Sequence, residues 1–144
     1  LDAAVEPGST IIDYGCGSGV LALAALTLGA RYAYAIDNDP QAIAATAANG
    51  ALNGVTADRL FVGLPDQLPS VSVDLLAANI LAAPLIAHAP LFAERVRPGG
   101  ALALSGILEK DAERVTAAYR PAFSGFASST RDGWVCLTAR RDAR

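Results

Sequence analysis

The sequence predicts an α/β protein with a doubly wound, mostly parallel seven-stranded sheet that an antiparallel hairpin closes. Five short apolar segments alternate with segments of helical composition, which implies parallel strands joined by right-handed crossovers. Residues 123–129 and 134–139 then form two strand-like segments, and the short turn Arg131-Asp132-Gly133 between them forces an antiparallel pair. The length of 144 residues and the hydrophobic content of 53% suit one domain with one core.

The first half of the chain contains three predicted strands and the two helices that connect them. The first helix covers about residues 20–28, and the second covers residues 40–52, with Asp39 as its expected N-cap. Gly50 lies inside the second helix, where it should cost about 1 kcal/mol relative to Ala. The three strands are predicted at residues 10–13, 32–36 and 60–62.

The second half contains two further strands and two helices before the hairpin. One helix is predicted at residues 83–96, with Pro98-Gly99-Gly100 as its stop, and the other at residues 110–119. Residues 75–93 carry no charge and are long enough to cross a bilayer. Polar and helix-breaking residues within them favour a buried strand, a loop and a helix instead. The interrupting residues are Asn79, Pro84, His88 and Pro90. The two strands are predicted at residues 73–78 and 101–105.

The charges are unevenly distributed along the chain. The net charge is −3, but residues 1–80 hold two basic and eight acidic side chains, whereas residues 81–144 hold nine basic and six acidic ones. No basic stripe of the kind found in nucleic-acid-binding proteins is present, so we expect no direct contact with nucleic acid. The acidic half suits a cationic ligand, although an ordinary solvated surface explains it at least as well.

The two cysteines, Cys16 and Cys136, are spaced neither as metal ligands nor as a disulfide framework. We therefore expect no metal site, and a reducing cytoplasm is the simplest location. No signal peptide opens the chain and no membrane association is expected. Because the chain starts at Leu1 and contains no Met, we expect it to be a piece of a longer protein.

A glycine-rich segment, residues 13–19 with the sequence DYGCGSG, lies between the first strand and the first helix. Ligands bind at this point in doubly wound sheets, because glycines allow close backbone approach and the helix start offers unpaired N–H groups. Val20 occupies the sixth position of the dinucleotide pattern, so the loop reads G-x-G-x-G after an acid. A tight turn without a ligand is the alternative. The predicted cofactor-binding residues here are Asp13, Gly15, Cys16, Gly17 and Gly19, with Cys16 mainly a small packing residue.

Asp37 ends the second predicted strand, near the spacing at which an acid binds ribose hydroxyls. Its carboxylate is expected to accept hydrogen bonds from two hydroxyl groups, and Asn38 is expected to flank the base. Without the glycine-rich loop, the sequence would favour a turn role for Asp37; with the loop, it favours the ribose role. Asp39 is expected to act only as the helix cap.

Asn79, His88 and Trp134 are three further candidates for a chemical role. Asn79 ends the fourth predicted strand, where its amide oxygen would orient an acceptor amine and so act in catalysis; a capping or turn role is about equally compatible with its spacing. His88 is the only histidine, and we expect a partly exposed position in the middle of a helix. Trp134 is expected to pack in the core or at the sheet edge.

Six segments occur in an order that resembles the bacterial ribosomal protein L11 methyltransferase family: DYGCGSG, AIDNDPQAI, ANILA, RPGG, LSGIL and GWVCLTARR. The resemblance runs over essentially the whole chain. The glycine-rich loop and its acid are shared by many class I, Rossmann-like methyltransferases, whereas ANILA and LSGIL are the discriminating segments. At the position of ANILA, related amine and amide methyltransferases have Asn-Pro-Pro followed by an aromatic residue.

The resemblance implies S-adenosyl-L-methionine as the cofactor and N-methylation of lysine ε-amines and the N-terminal α-amine of ribosomal protein L11. It implies that Gly15, Asp37 and Asn79 contact the cofactor or the reacting groups, with Asp13, Gly17 and Asn38 in the same motifs. It also implies a separate N-terminal substrate-recognition domain and a Gly-Thr-Gly-His-Pro-Thr-Thr segment that helps to cover the cofactor. This chain contains neither; residues 1–5 resemble the end of the helix that follows that segment.

Three alternatives stay open or are disfavoured at this point. One alternative is that the acceptor is another amine, on a protein or small molecule, and a second is that the chain is a cofactor-binding piece without activity alone. A nicotinamide-dependent oxidoreductase is disfavoured by Val20 and by the closing antiparallel hairpin.

Overall fold

The computed structural model describes residues 1 and 4–143, and it confirms the predicted α/β architecture. Within these residues seven strands form one sheet in the order β3-β2-β1-β4-β5-β7-β6. The pairs among the first five strands are parallel, and β7 runs antiparallel between β5 and β6. The strands are β1 (Thr10–Tyr14), β2 (Tyr32–Ile36), β3 (Leu60–Gly63), β4 (Val73–Asn79), β5 (Val96–Leu108), β6 (Phe123–Arg131) and β7 (Trp134–Arg141).

The strand order reverses direction between β1 and β4, which are neighbours in the sheet although β2 and β3 separate them in sequence. In doubly wound sheets a crevice opens at such a switch point, outside the carboxyl ends of the strands. The crevice here therefore lies after Tyr14 and Asn79, the last residues of these two strands.

The helices pack on both faces of the sheet. They are α1 (Val20–Thr27), α2 (Pro40–Leu52), α3 (Ala82–Ala87), α4 (Ala89–Arg95) and α5 (Ala112–Tyr119). Asp39 caps α2 as predicted, because its Oδ1 accepts a hydrogen bond from the N–H of Gln41 at 2.9 Å. The position of Gly50 also has a structural reason: a Cβ there would lie 3.0 Å from Cδ2 of Leu60, so only a small residue lets α2 approach β3 this closely.

The prediction of a single helix over residues 83–96 is wrong, because α3 ends and α4 begins on either side of His88. Pro90 explains the break, since a proline inside a continuous helix has no N–H to donate and its ring collides with the preceding turn. At the second position of α4 neither penalty arises. Strand β5 is also longer than predicted: Pro98-Gly99-Gly100 lies within it, at a register shift against β4.

Two apolar clusters, one on each face of the sheet, form the core. One contains side chains of α1 and β2, and the other contains side chains of α3, α4 and α5. In the second cluster Phe92, Tyr119 and Phe123 are fully buried, and the Tyr119 hydroxyl donates a hydrogen bond to the Leu85 carbonyl at 2.6 Å. No helix in the described part of the chain is long and apolar enough to cross a membrane.

The expected end of a helix at residues 1–5 lies only partly within the described residues. The N–H groups of Ala4 and Val5 donate hydrogen bonds to the Leu1 carbonyl. Residues 2 and 3 lie outside the described residues.

We predict that Tyr119→Phe lowers the free energy of unfolding by about 1 kcal/mol, because it removes one buried hydrogen bond and leaves the Leu85 carbonyl without that donor. Chemical denaturation followed by circular dichroism measures this. Tyr32→Phe is the matched control, since the structure gives the Tyr32 hydroxyl no hydrogen bond in the described residues. Equal stability of Tyr119→Phe and the wild type would contradict the proposed contribution.

Candidate active site

The glycine-rich loop after β1 forms one wall of the crevice. Gly15, Gly17 and Gly19 all have positive φ, at 81°, 55° and 88°, which side chains rarely tolerate. A Cβ on Gly15 would overlap Cγ2 of Ile80, whereas a Cβ on Gly17 would meet no atom within 4 Å. The backbone of Gly17 is therefore open to solvent and accessible to a ligand, and the backbone of Gly15 touches the segment after β4.

Asp13 lies beneath this loop and is almost completely buried, with 1% of its surface exposed. Its Oδ2 accepts a hydrogen bond from the N–H of Ala22 in α1 at 3.0 Å, but its Oδ1 has no hydrogen-bond partner among the described residues. Burial raises the pKa of Asp13 to about 6; the hydrogen bond from Ala22 opposes this rise, and the charge of Asp37 adds to it. The carboxyl group therefore has an unused acceptor that a cationic donor would stabilise in its ionised form.

Asp37 follows β2 directly and connects two loops. Its Oδ2 accepts a hydrogen bond from the N–H of Gly17 at 2.9 Å, and its Oδ1 accepts one from the N–H of Asp39 at 3.0 Å. Each carboxylate oxygen can accept more than one hydrogen bond, so these two bonds leave acceptor capacity toward the crevice. Asp37 is half-buried, and Asn38 beside it is exposed.

A first cavity of about 330 Å³ lies between the glycine-rich loop, the loop after β2 and the start of α3. Its volume is within the range of small-molecule sites. It brings together the predicted residues Gly15, Asp37 and Asn38. The described residues that line it are Tyr14, Gly15, Asp37, Asn38, Pro65, Ile80, Pro84 and His88.

His88 is one of the lining residues that sequence reasoning missed. Its ring packs against Tyr14 and Phe92, with centroid distances of 5.0 and 5.7 Å. It is half-buried, as predicted, but it lies at the junction of α3 and α4 and not in the middle of a helix. Only the break at Pro90 could have indicated this from the sequence.

A second cavity of about 560 Å³ adjoins the first, and Ile80 lines both. Asn79 is exposed at the end of β4 beside Ser105 of β5. Gly106 touches it, since a Cβ there would lie 2.9 Å from Oδ1 of Asn79. An isolated glycine within a strand pattern signals such a close approach, so Gly106 could have been found from the sequence.

Trp134 also lines the second cavity, and the expectation that it packs in the core or at an edge is wrong. It is 48% exposed, and it begins β7, which is an interior strand of the sheet. Together with Leu81, which is 68% exposed, it adds apolar surface to the cavity beside Asn79.

Cys16, like Asp13, Gly17 and Gly19, is not among the residues that line the first cavity. Its Sγ lies 3.4 Å from Oγ1 of Thr46 in α2. Burial raises the pKa of its thiol to about 11; the Thr46 contact lowers this pKa, and the charges of Asp13 and Asp37 raise it. Cys16 is therefore a neutral packing residue at neutral pH. Among residues 1 and 4–143, no three His, Cys, Asp or Glu side chains converge as metal ligands.

We predict that Asp13→Asn stabilises the ligand-free protein at pH 7–8 but not at about pH 4. Because the folded-state pKa is raised from 3.8 to about 6, protonated Asp13 favours folding, and this contribution is lost as the pH rises through 6. The loss amounts to about 3 kcal/mol, and Asn escapes it while still accepting the Ala22 hydrogen bond. Thermal unfolding at several pH values measures the difference.

Asp66→Asn is the control for this experiment, because Asp66 is an exposed carboxylate without a hydrogen bond in the structure. Its pH profile should run parallel to that of the wild type. If the pH profile of Asp13→Asn also runs parallel to that of the wild type, burial does not raise the pKa of Asp13 as described.

Comparisons with known proteins identify the family. The model of the ribosomal protein L11 methyltransferase (PrmA) family matches residues 1–142. The chain is 49% identical to the ribosomal protein L11 methyltransferase of Pseudomonas putida over 141 residues, which are 98% of this chain and 48% of that protein. It is 53% identical to the enzyme of the same name from Thiobacillus denitrificans over 137 residues, which are 95% of this chain and 45% of that protein. The chain thus spans about half the length of these relatives.

Solved structures agree with this result. The crystal structure of ribosomal protein L11 methylase from Lactobacillus delbrueckii subsp. bulgaricus superimposes with a TM-score of 0.85 at 30% identity, and covers 97% of this chain and 72% of that one. A methyltransferase from Pyrococcus furiosus shares the fold, with a TM-score of 0.81 at 14% identity, covering 99% of this chain and 79% of that one. These matches confirm the resemblance found in the sequence motifs. The chain belongs to the ribosomal protein L11 methyltransferase family and has the Rossmann-like fold of class I methyltransferases.

Proposed function

We propose that this chain is the S-adenosyl-L-methionine-binding catalytic domain of an enzyme that methylates lysine ε-amino groups and the N-terminal α-amino group of ribosomal protein L11. The single observation that carries the proposal is the unpaired, buried carboxylate oxygen of Asp13 beneath an open glycine-rich loop. Family membership supports the reaction and the acceptor. We further propose that a substrate-recognition domain precedes this domain in the complete protein and that the protein works in the cytoplasm, without direct contact to nucleic acid or membrane.

The residues of the first cavity and of the glycine-rich loop beside it fit such a cofactor. Asp13 would hold its ammonium group directly or through water, and the open backbone at Gly17 would admit its methionine portion. Gly15, Cys16 and Gly19 would complete this loop through their backbone. The remaining acceptor capacity of Asp37 suits a ribose with two hydroxyl groups, and Asn38 would flank the base. When bound, S-adenosylmethionine supplies a sulfonium-activated methyl group for in-line transfer to an amine.

Asn79 would orient the acceptor amine. Its exposed amide lies at the mouth of β4 in the cavity beside the proposed cofactor site. The amide oxygen can accept a hydrogen bond from an amine N–H and so direct the nitrogen lone pair. Most of the chemical work is therefore positioning, because the methyl group is already activated.

The amine must be neutral to react, and a free lysine has a pKa of about 10.4, so deprotonation at pH 7 costs about 4–5 kcal/mol. The apolar surface of Leu81 and Trp134 would lower this cost, because a less polar environment disfavours the charged ammonium. None of the described residues that line this cavity is ionisable, so we propose that water accepts the proton.

A second candidate function follows from the coverage of the relatives. Because the chain spans about half of their length, it is alternatively a cofactor-binding unit that needs the rest of the protein for turnover. Another amine acceptor is the remaining alternative. Incubation of this chain with S-adenosylmethionine and purified ribosomal protein L11, followed by mass spectrometry, separates them. Methyl mass increments on L11 support the proposal, and their absence despite cofactor binding favours one of the two alternatives.

We predict that Asn79→Ala lowers the methyl-transfer rate constant about 100-fold or more and changes cofactor affinity less than about 3-fold, since a positioned hydrogen bond at the reacting group acts mainly on the transition state. Single-turnover assays and calorimetry with the complete, active protein measure the two effects. Asn53→Ala is the control, because Asn53 is exposed at the end of α2. Equal losses of rate and affinity would contradict the catalytic role of Asn79.

A further inference from the structure

Helix α2 contacts the glycine-rich loop through two side chains on the same face. The Oγ1 of Thr46, a fully buried residue, donates a hydrogen bond to the Gly17 carbonyl at 2.9 Å. One turn later, the Nδ2 of Asn49 donates a hydrogen bond to the Ser18 carbonyl at 2.9 Å. Two successive carbonyl groups of the loop are therefore bound to one helix.

Thr46 also packs directly against the end of the loop. A Cβ on Gly19 would lie 2.7 Å from Cγ2 of Thr46, so no side chain separates the helix from this glycine. The Sγ of Cys16 touches the same hydroxyl group at 3.4 Å. Thr46 therefore contacts three of the loop residues, at Cys16, Gly17 and Gly19.

Gly17 is held at both of its backbone polar groups. Asp37 accepts a hydrogen bond from its N–H, and Thr46 donates one to its carbonyl. Because the peptide unit is planar and trans, a Gly17 carbonyl that points toward α2 directs the N–H of Ser18 away from α2. That N–H has no hydrogen-bond partner in the part of the chain that the structure describes.

We infer that Thr46 and Asn49 are positioning residues that keep the glycine-rich loop in its binding conformation and thereby set the affinity for the cofactor, an inference that rests on the proposed function. A loop with three glycines at positive φ has many alternative conformations, which the two hydrogen bonds exclude before the ligand arrives. Without them, the binding-competent loop is only a fraction of the population, and the apparent affinity falls by that fraction.

The test uses three variants of this 144-residue chain. Thr46→Val removes the hydroxyl group but keeps the buried volume, Thr46→Ser keeps the hydroxyl group, and Asn49→Ala removes the second donor. Calorimetric titration with S-adenosylmethionine gives the dissociation constants. Thr46→Val and Asn49→Ala should each weaken binding about 3- to 10-fold, the effect of one net hydrogen bond, whereas Thr46→Ser should bind within about twofold of the wild type.

Asn53→Ala is the matched control. Asn53 lies on the same helix, and its Nδ2 donates to the Asn49 carbonyl at 2.7 Å, so the substitution removes a similar hydrogen bond that does not reach the loop. It should leave cofactor affinity unchanged. If it weakens binding as much as Asn49→Ala does, the effect is general helix destabilisation and the inference is wrong.

Amide hydrogen exchange of the ligand-free protein provides a readout that a stability effect does not reproduce. Thr46→Val should accelerate exchange of the Gly17 N–H while core amides of β1 and β4 keep their wild-type rates. If Thr46→Val and Asn49→Ala both keep the wild-type affinity and the wild-type amide exchange rates, the inference is wrong and the proposed function still stands. Absence of S-adenosylmethionine binding by the wild type overturns the proposed function, and the inference with it.

Discussion

The buried carboxyl group of Asp13 is the constraint on which the rest of the site depends. It is the next-to-last residue of β1, beneath the glycine-rich loop, and one of its oxygens accepts a hydrogen bond from the N–H of Ala22 in the first turn of α1. The other oxygen has no partner, and burial raises the pKa to about 6. Leaving a buried acceptor unpaired is costly in a folded protein. This cost has a functional explanation if a cationic ligand completes the site, which is why the proposal of S-adenosylmethionine binding rests on this residue.

The topology of the sheet separates the proposed cofactor site from the proposed acceptor site. The first cavity lies over the ends of β1 and β2, and the second lies over the ends of β4 and β5, with Ile80 lining both. Asn79 and Asp37 therefore line different cavities, although both lie at the carboxyl ends of parallel strands, β4 and β2, with β1 between them. The antiparallel strand β7 adds Trp134 to the second cavity. If β7 ran parallel to β5, its first residue, Trp134, would lie at the other end of the strands, away from this cavity. The closing hairpin therefore contributes directly to the proposed acceptor site.

Local rules explain which features were predictable. The Asp39 cap, the short turn between β6 and β7 and the glycine-rich loop each depend on neighbours within a few residues, and all three were predicted from the sequence. The turn was predicted at Arg131-Asp132-Gly133, but it comprises only Asp132 and Gly133, because Arg131 still pairs within β6. The features that were missed depend on contacts between distant segments. Trp134 reaches its cavity through the pairing of β7 with β5, and Thr46 reaches Gly17 across 29 residues of sequence. The split of the helix at His88 is different, because Pro90 did signal it.

Calorimetric titration of this chain with S-adenosylmethionine and, separately, with NAD tests the central claim most directly. Both ligands contain adenosine, but the methionine portion of S-adenosylmethionine adds an ammonium group and a sulfonium, whereas NAD carries a negatively charged pyrophosphate. The unpaired oxygen of Asp13 predicts saturable binding of S-adenosylmethionine that weakens between pH 7.5 and pH 5, as the carboxyl group becomes protonated, and no binding of NAD. Binding of NAD, or binding of S-adenosylmethionine that is unaffected by Asp13→Asn at both pH values, would contradict it.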